Sequence, residues 1–332
     1  MRRDLDRYYR RAAPSTDRDG LLTLRLAYRP PLAAIELLDY FGRRALRGIE
    51  EVAGGRLRRV LTLPCSTAVA DLRPLPGTDH VQLRLRLDDL RDLSVAVRRC
   101  RQLLDLDADP AAVAEVLGAD PELAPLVAAR PGLRVPGAVD GFELAVRAIL
   151  GQRVSVTAAT SFAGRLVAAL GEPLPAPDGG LTHRFPTAET LAGADLRGLP
   201  LTKGGAAALR ALARAVTAGE VELDRGADRE RTVRALLALP GLGPWTVAYI
   251  AMRALGDPDA LPVTDLGLRR ALQARGLPTD PAGVLARAER WRPWRAYAVL
   301  HLWAGAAGGA GGRAQTPAPH PEPATPPAEL PA

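Results

Sequence analysis

Residues 239–255 read LPGLGPWTVAYIAMRAL. A Pro-Gly-x-Gly-Pro turn separates two segments of helical period. The upstream helix, predicted over 229–239, runs into Leu239-Pro240. Proline disfavours helical geometry in the residue before it, so the stop is sharp. Gly241 and Gly243 permit positive φ and leave backbone N–H groups uncovered. Pro244 suits the first turn of the next helix, predicted over 244–255. The turn amides and the helix N-terminus then face outward together, a concavity of the kind that holds a phosphate group. A tight structural turn satisfies the same pattern, and both readings stand at this point. Trp245 and Tyr249, at i and i+4, share one face of the second helix. They form either a core stripe or a π surface beside a bound backbone, on which an extruded base would stack.

Downstream lies DALPVTDLGLRRAL, residues 259–272. Asp265 follows Thr264 and opens a helix predicted over 265–275. Both residue types are favoured at helix starts, so capping alone accounts for them. A carboxylate near the positive end of a helix also favours its charged form and can face a developing cation. Upstream, GQR (151–153) falls at the break between helices predicted over 140–150 and 154–170.

Nearer the N-terminus the period changes. LLTLRLAY (21–28) reads as a strand, and PPLAAIELLDYFGRRAL (30–46) as a helix opening with prolines. IEEVAGGRLRRVLTL predicts two strands around Gly54-Gly55. HVQLRLRLDD alternates, with Val81, Leu83, Leu85 and Leu87 on one face and Gln82, Arg84 and Arg86 on the other. That is a half-buried strand of an antiparallel sheet. Residues 20–90 are therefore expected to form a small α+β unit.

From residue 89 onward no strand signal is read. Helical segments follow one another, with PLPAPDGG (173–180) as a Pro/Gly loop between two of them. Residues 91–304 are expected to be all-helical. Residues 1–19 read as a flexible N-terminus. Residues 305–332 are Gly/Ala-rich and then Pro-rich without apolar period, a disordered tail. The fold class is mainly α with a small N-terminal α+β domain.

The chain has 332 residues and a net charge of +7, which suits an anionic partner such as nucleic acid. Lys203 is the single lysine among many arginines, and Ala, Gly and Pro are abundant, so compositional bias explains the charge equally well. Cys65 and Cys100 form no CxxC pair, which argues against a zinc site, an iron–sulfur cluster or a disulfide framework. The charged N-terminus has no apolar stretch of a secretion signal, and no run reaches membrane-span length. A cytoplasmic location is expected.

The segment 235–272, together with FELAVRAILGQRVSVTAA (142–159) and AERWRPWRAYAVLHLWA (288–304), resembles the helix-hairpin-helix DNA glycosylase superfamily. Within it, the chain is similar to the bacterial AlkA-type alkylbase glycosylases, the 3-methyladenine DNA glycosylase II group. LRLAYRPP and IEEVAGGRLRR resemble that group's N-terminal sheet domain more weakly. The resemblance spans about residues 20–304 and implies a monofunctional base excision repair enzyme. It would hydrolyse the N-glycosidic bond of alkylated purines in duplex DNA, as a monomer associated with the bacterial nucleoid. It implies Asp265 as the catalytic carboxylate and Trp245, Tyr249 and Trp303 as the base pocket. Gly241, Gly243 and Pro244 would form the phosphate-binding hairpin, and Gln152 and Arg153 the wedge that fills the space of the flipped nucleotide. No cofactor is required. A monovalent cation on the backbone carbonyls of Leu237, Pro240 and Leu242 is implied by family hairpins.

Two departures stand out: Arg153 occupies the place of a leucine wedge, and Ala304 that of a second pocket aromatic. Strand-cutting relatives carry a lysine at the position of Trp245, where it serves as a Schiff-base nucleophile. Two alternatives remain at this point, a glycosylase for other damaged bases and a non-catalytic hairpin DNA-binding module.

Overall fold

The computed structural model describes residues 15–16 and 21–309. The segments expected to be a flexible N-terminus and a disordered tail lie outside the described residues, apart from Ser15–Thr16 and residues 305–309. The latter continue the last helix, which reaches Gly309 rather than ending near 304.

The N-terminal sheet is antiparallel and six-stranded. Its strands are β1 (Ser15–Thr16), β2 (Leu21–Ala27), β3 (Glu50–Ala53), β4 (Arg56–Thr62), β5 (Thr67–Pro74) and β6 (His80–Leu87), in the order β1-β2-β6-β5-β4-β3. Gly54 and Gly55 both take positive φ, +58° and +71°, as a two-residue hairpin turn between β3 and β4 requires. Val81, Leu83 and Leu85 of β6 are buried, and Arg84 and Arg86 are exposed, as the alternation dictates. The inner face packs on helix α1 (Ala34–Gly42) through Leu37 and Phe41. It also packs on α2 (Leu93–Leu103) through Ala96, Cys100 and Leu103. Prolines 30 and 31 do not open α1, which starts at Ala34. They precede it in a segment pinned by Arg134, whose Nη2 donates to the Arg29 and Pro31 carbonyls.

The helical part comprises α3 (Pro110–Gly118), α4 (Ala124–Ala129), α5 (Gly141–Leu150), α6 (Val156–Leu170) and α7 (Ala188–Gly193). These are followed by α8 (Lys203–Thr217), α9 (Arg229–Ala238), α10 (Pro244–Arg253), α11 (Leu266–Gln273), α12 (Pro281–Ala288) and α13 (Arg295–Gly309). It is not all-helical. Residues 172–184 form a hairpin of β7 (Glu172–Asp178) and β8 (Leu181–Arg184), where a loop was expected. Leu174 and Leu181 pack on Val60 and Val69 of the sheet's outer face, and Asp178 pairs with Arg58 and Arg86. The prolines that masked this hairpin are tolerated because β7 is an edge strand.

Two helical cores flank α10. Val247 and Ile250 face one core, together with Ile149, Leu209 and Leu236. Ala251 and Met252 face the other, with Leu268, Leu272, Trp291 and Leu302. The helix that follows the hairpin is thus clamped on two sides. Its remaining face carries Trp245 and Tyr249.

Candidate base-excision site

The hairpin between α9 and α10 answers why two glycines are needed. Gly241 has φ +80°, and a Cβ there would stand 2.9 Å from the Ala208 Cβ of α8. Its glycine serves both backbone geometry and close helix packing. Gly243 caps α10 at φ −82°, an ordinary value, so the expectation of positive φ holds at Gly241 alone. Nothing lies within 4 Å of a Cβ built at Gly243, and Gly241, Gly243 and Pro244 are all exposed. The N-terminus of α10 therefore lies at the surface without a side-chain cap. Lys203 and Gly204, at the start of α8, sit beside this turn: the Gly204 carbonyl is 3.7 Å from the Gly241 Cβ position.

Gln152 and Arg153 divide. Gln152 Nε2 donates to the Gly241 carbonyl at 3.0 Å and to Thr246 Oγ1 at 2.8 Å. Both amide hydrogens are committed, so Gln152 braces the loop against the hairpin instead of standing free as a wedge. Arg153 is exposed and holds φ +59°, a region non-glycine residues enter at a cost of about 1–3 kcal/mol. The brace at Gln152 holds the loop that presents Arg153.

Asp265 is 3% exposed. It caps α11: Oδ1 accepts from the Leu268 amide at 2.6 Å. That alone is ordinary among caps, since Asp109, Asp140, Asp228 and Asp280 do the same for their helices, each contributing about 1 kcal/mol. What sets Asp265 apart is a pair of indoles. Trp245 Nε1 donates to Oδ2 at 2.9 Å, and Trp303 Nε1 donates to Oδ1 at 2.8 Å. Three donors orient a buried carboxylate that would otherwise be costly to desolvate. A carboxylate has about four acceptor sites, so one remains for a water or a sugar.

Trp303 reaches this position through Gly267, which sequence reading overlooked. A Cβ there would lie 3.2 Å from the Trp303 ring and 3.0 Å from Asp265 Oδ1. A glycine inside a short helix was the available signal.

Trp245 and Tyr249 stack, with centroids 5.5 Å apart and planes at 13°. Tyr249 covers one face of the indole. Its hydroxyl bonds with Tyr40 Oη of α1 at 3.0 Å and accepts from Arg253 Nη1 at 2.7 Å. Burial raises the Tyr249 phenol, but the charges of Arg253 and Arg44 outweigh it and bring it down to about 8. Tyr40 and Arg253 were also missed. Tyr40 lies 209 residues from its partner, a separation that leaves no local signal.

The three sequence-expected pocket aromatics and the aspartate therefore do converge. Comparison with known proteins identifies the family. The profile of the AlkA N-terminal domain matches residues 23–140, and that of the HhH-GPD superfamily of base excision DNA repair proteins matches residues 146–296. The DNA-3-methyladenine glycosylase 2 of Escherichia coli is 35% identical over 84% of this chain and 95% of its own length.

The chain belongs to the HhH-GPD superfamily.

A second HhH-GPD relative is the probable bifunctional transcriptional activator/DNA repair enzyme AlkA of Mycobacterium tuberculosis. It is 49% identical over 86% of this chain, which spans 57% of that protein's length. A solved 3-methyladenine DNA-glycosylase from Archaeoglobus fulgidus superposes with a TM-score of 0.73 at 22% identity, over 85% of this chain and 98% of its own. That likeness supports the HhH-GPD fold. Among the described residues no helix is long and apolar enough to cross a membrane.

Proposed function

We propose that the chain is a monofunctional DNA glycosylase that removes alkylated purines of the 3-methyladenine type from duplex DNA. The observation that carries this reading is the convergence of two pocket indoles on one buried helix-cap carboxylate, next to an open hairpin.

Each part has a physical task. The Gly243 amide and the positive end of α10, which opens with Pro244, hold a backbone phosphate, with Gly241 setting the turn and Lys203 alongside. Arg153 fills the gap left by the extruded nucleotide, which costs a few kcal/mol to unstack. The base enters between Trp245 and Trp303, with Tyr249 backing Trp245. A purine alkylated at N3 or N7 is cationic, and an indole face attracts a cation by about 0.5–2 kcal/mol. The same positive charge makes the base a ready leaving group, so no strong general acid is needed. As the glycosidic bond breaks, electrons leave with the base and the sugar becomes oxocarbenium-like. Asp265 stabilises that charge, and its remaining lone pair can orient the attacking water. The two indole N–H bonds keep the carboxylate aimed while the rings hold the base.

The hairpin cation belongs to this reading as well. The hydrogen bonds of the turn are accepted by the carbonyls of Leu236, Leu239, Gly241 and Gly243. Leu237, Pro240 and Leu242 alternate with these, an all-carbonyl donor set that suits a hard monovalent ion. Such an ion would add positive charge to the phosphate side of the turn.

A duplex treated with a methylating agent, incubated with the protein, tests the reading. The expected products are free 3-methyladenine and 7-methylguanine by chromatography, with the strand uncut and no adduct trapped by borohydride. Trp245 stands where strand-cutting relatives have their lysine. A trapped adduct contradicts the monofunctional assignment, and no released base contradicts the activity.

A further inference from the structure

Behind the pocket, where Tyr249 meets the N-terminal unit, the structure buries unbalanced charge. Four arginines, Arg44, Arg59, Arg147 and Arg253, line one small cavity with two glutamates, Glu50 and Glu143, and Tyr40. The glutamates are matched by Arg59 and Arg147: Arg59 pairs with both at 2.7 and 2.8 Å, and Arg147 with both at 3.0 and 2.9 Å. Arg44 and Arg253 remain. Arg253 spends its other nitrogens on the carbonyls of Pro136 and Gly137, at 2.7 and 3.2 Å. Both guanidinium groups lie over tyrosine rings, Arg44 at 3.9 Å and Arg253 at 4.9 Å from the Tyr40 centroid, with Arg253 also 5.3 Å from that of Tyr249. Arg253 is buried and Arg44 half-buried, and carbonyls and rings solvate these cations without neutralising them. Uncompensated buried charge is costly, so a group that can supply a negative charge there is stabilised in doing so.

We propose that Tyr40 and Tyr249 act as one ionisable unit whose loss of a proton to bulk water gives the base pocket a less positive back wall. That wall favours cationic alkylpurines over neutral damaged bases. The proposal rests on the reading that Trp245 and Tyr249 wall the base pocket.

The geometry gives the unit its direction. Tyr249 Oη accepts from Arg253 and lies 3.0 Å from Tyr40 Oη, so when Tyr249 loses its proton both neighbours donate to the phenolate oxygen. Burial pushes Tyr40 up and keeps it protonated as that donor. Tyr249 is held at about 8, within reach of ordinary conditions. The groups facing the unit are Arg44 just after α1, Glu50 on β3, Arg59 on β4, Glu143 and Arg147 on α5, and Arg253 on α10. Asp265 lies beyond the Trp245 ring, bonded to its far edge. The phenolate ring is parallel to Trp245, so its charge is felt by a base stacked on the opposite indole face.

The sign follows from linkage. Ionised Tyr249 attracts a cationic base, and the base in turn favours the ionised form by the same factor. Below about 8 the phenol is neutral and the two arginines disfavour a cation. Above it, discrimination rises.

Single-turnover base release is measured on duplexes carrying either cationic 7-methylguanine or neutral hypoxanthine, at pH values on both sides of about 8. The ratio of the two rates cancels effects common to both. Tyrosinate absorbance of the DNA-free protein is followed in parallel. In the wild-type chain the ratio should rise by roughly tenfold, the effect of one pKa unit of coupling, in step with the absorbance. Tyr249→Phe keeps the stacked ring and should abolish both the absorbance step and the rise. Tyr40→Phe removes one donor from the phenolate and should move both to higher pH, and melting curves check that each variant folds. A ratio that stays flat through the tyrosinate step, or no step at all, overturns the proposal. An unmoved step in Tyr40→Phe overturns the pairing. Trp245→Ala, run alongside, keeps the two readings apart. It should depress release of both lesions at every pH, and normal release would overturn the pocket itself.

Discussion

The two ends of α10 are built for opposite surroundings. At its N-terminus Gly243 and Pro244 are exposed, and space lies open in front of the first amides. At its C-terminus Arg253 is 7% exposed and engages Pro136, Gly137 and Tyr249. The first end is exposed and carries no side-chain cap, and the other is held by side-chain bonds within the protein. The stacked pair Trp245 and Tyr249 lies between, and connects the open end to the buried one. The helix is therefore anchored at the end remote from its exposed N-terminus.

The largest effect should follow from attacking the buried end. Arg253→Leu leaves two buried carbonyls without their donor. The unfolding free energy in urea should fall by about 3 kcal/mol. A loss of only a few tenths would mean that the buried end does not anchor the helix.

A smaller effect separates the two glycines. Gly241→Ala strains a φ of +80° and crowds Ala208, so stability should drop by about 1–2 kcal/mol. Gly243→Ala has room in the free protein and a permissive φ, so its melting point should barely move. Its affinity for duplex DNA containing an abasic-site analogue should nevertheless fall several-fold, because the methyl group enters the space a phosphate needs. Equal behaviour of the two variants would erase the distinction between packing glycine and binding glycine.

The smallest effect concerns Arg153. Arg153→Ala should slow release from paired lesions a few-fold more than from mismatched ones, where extrusion costs less. An equal loss on both substrates would make Arg153 a plain phosphate contact.

The hairpin, the helix-cap aspartate and the Trp245–Tyr249 pair were legible because each depends on local chemistry: proline stops, glycine turns, i and i+4 spacing, a helix cap; Trp303 was named by the family resemblance alone. Other parts depend on distant packing. Strand β5 escaped notice because its residues 68–70 and 72 are buried with little alternation, the inner face lying on the core and Val69 lying under the β7–β8 hairpin. The Tyr40–Tyr249 bond joins α1 to α10 across the whole chain, and neither residue's neighbours announce it. Gln152 was read as part of a wedge, but its partner, the Gly241 carbonyl, is 89 residues away, and only that bond distinguishes a brace from a wedge. Asp265 itself read equally as a cap or a catalyst, and the two indole bonds that support the catalytic proposal come from Trp245 and Trp303, 20 and 38 residues away.

The central claim is that the negative charge of Asp265 drives bond cleavage. Asp265→Asn tests it most directly. Asparagine keeps the cap to Leu268 and can keep the Trp303 bond through its oxygen. Its amide nitrogen would then face the Trp245 N–H, donor against donor, so stability should fall by about 1–2 kcal/mol. Binding to abasic-analogue DNA should stay within a few-fold of wild type, since phosphate contacts do not use the carboxylate. Single-turnover release of 7-methylguanine should fall by a factor on the order of a hundred or more. Near-normal release by a folded Asp265→Asn variant would make Asp265 only a helix cap and would contradict the account.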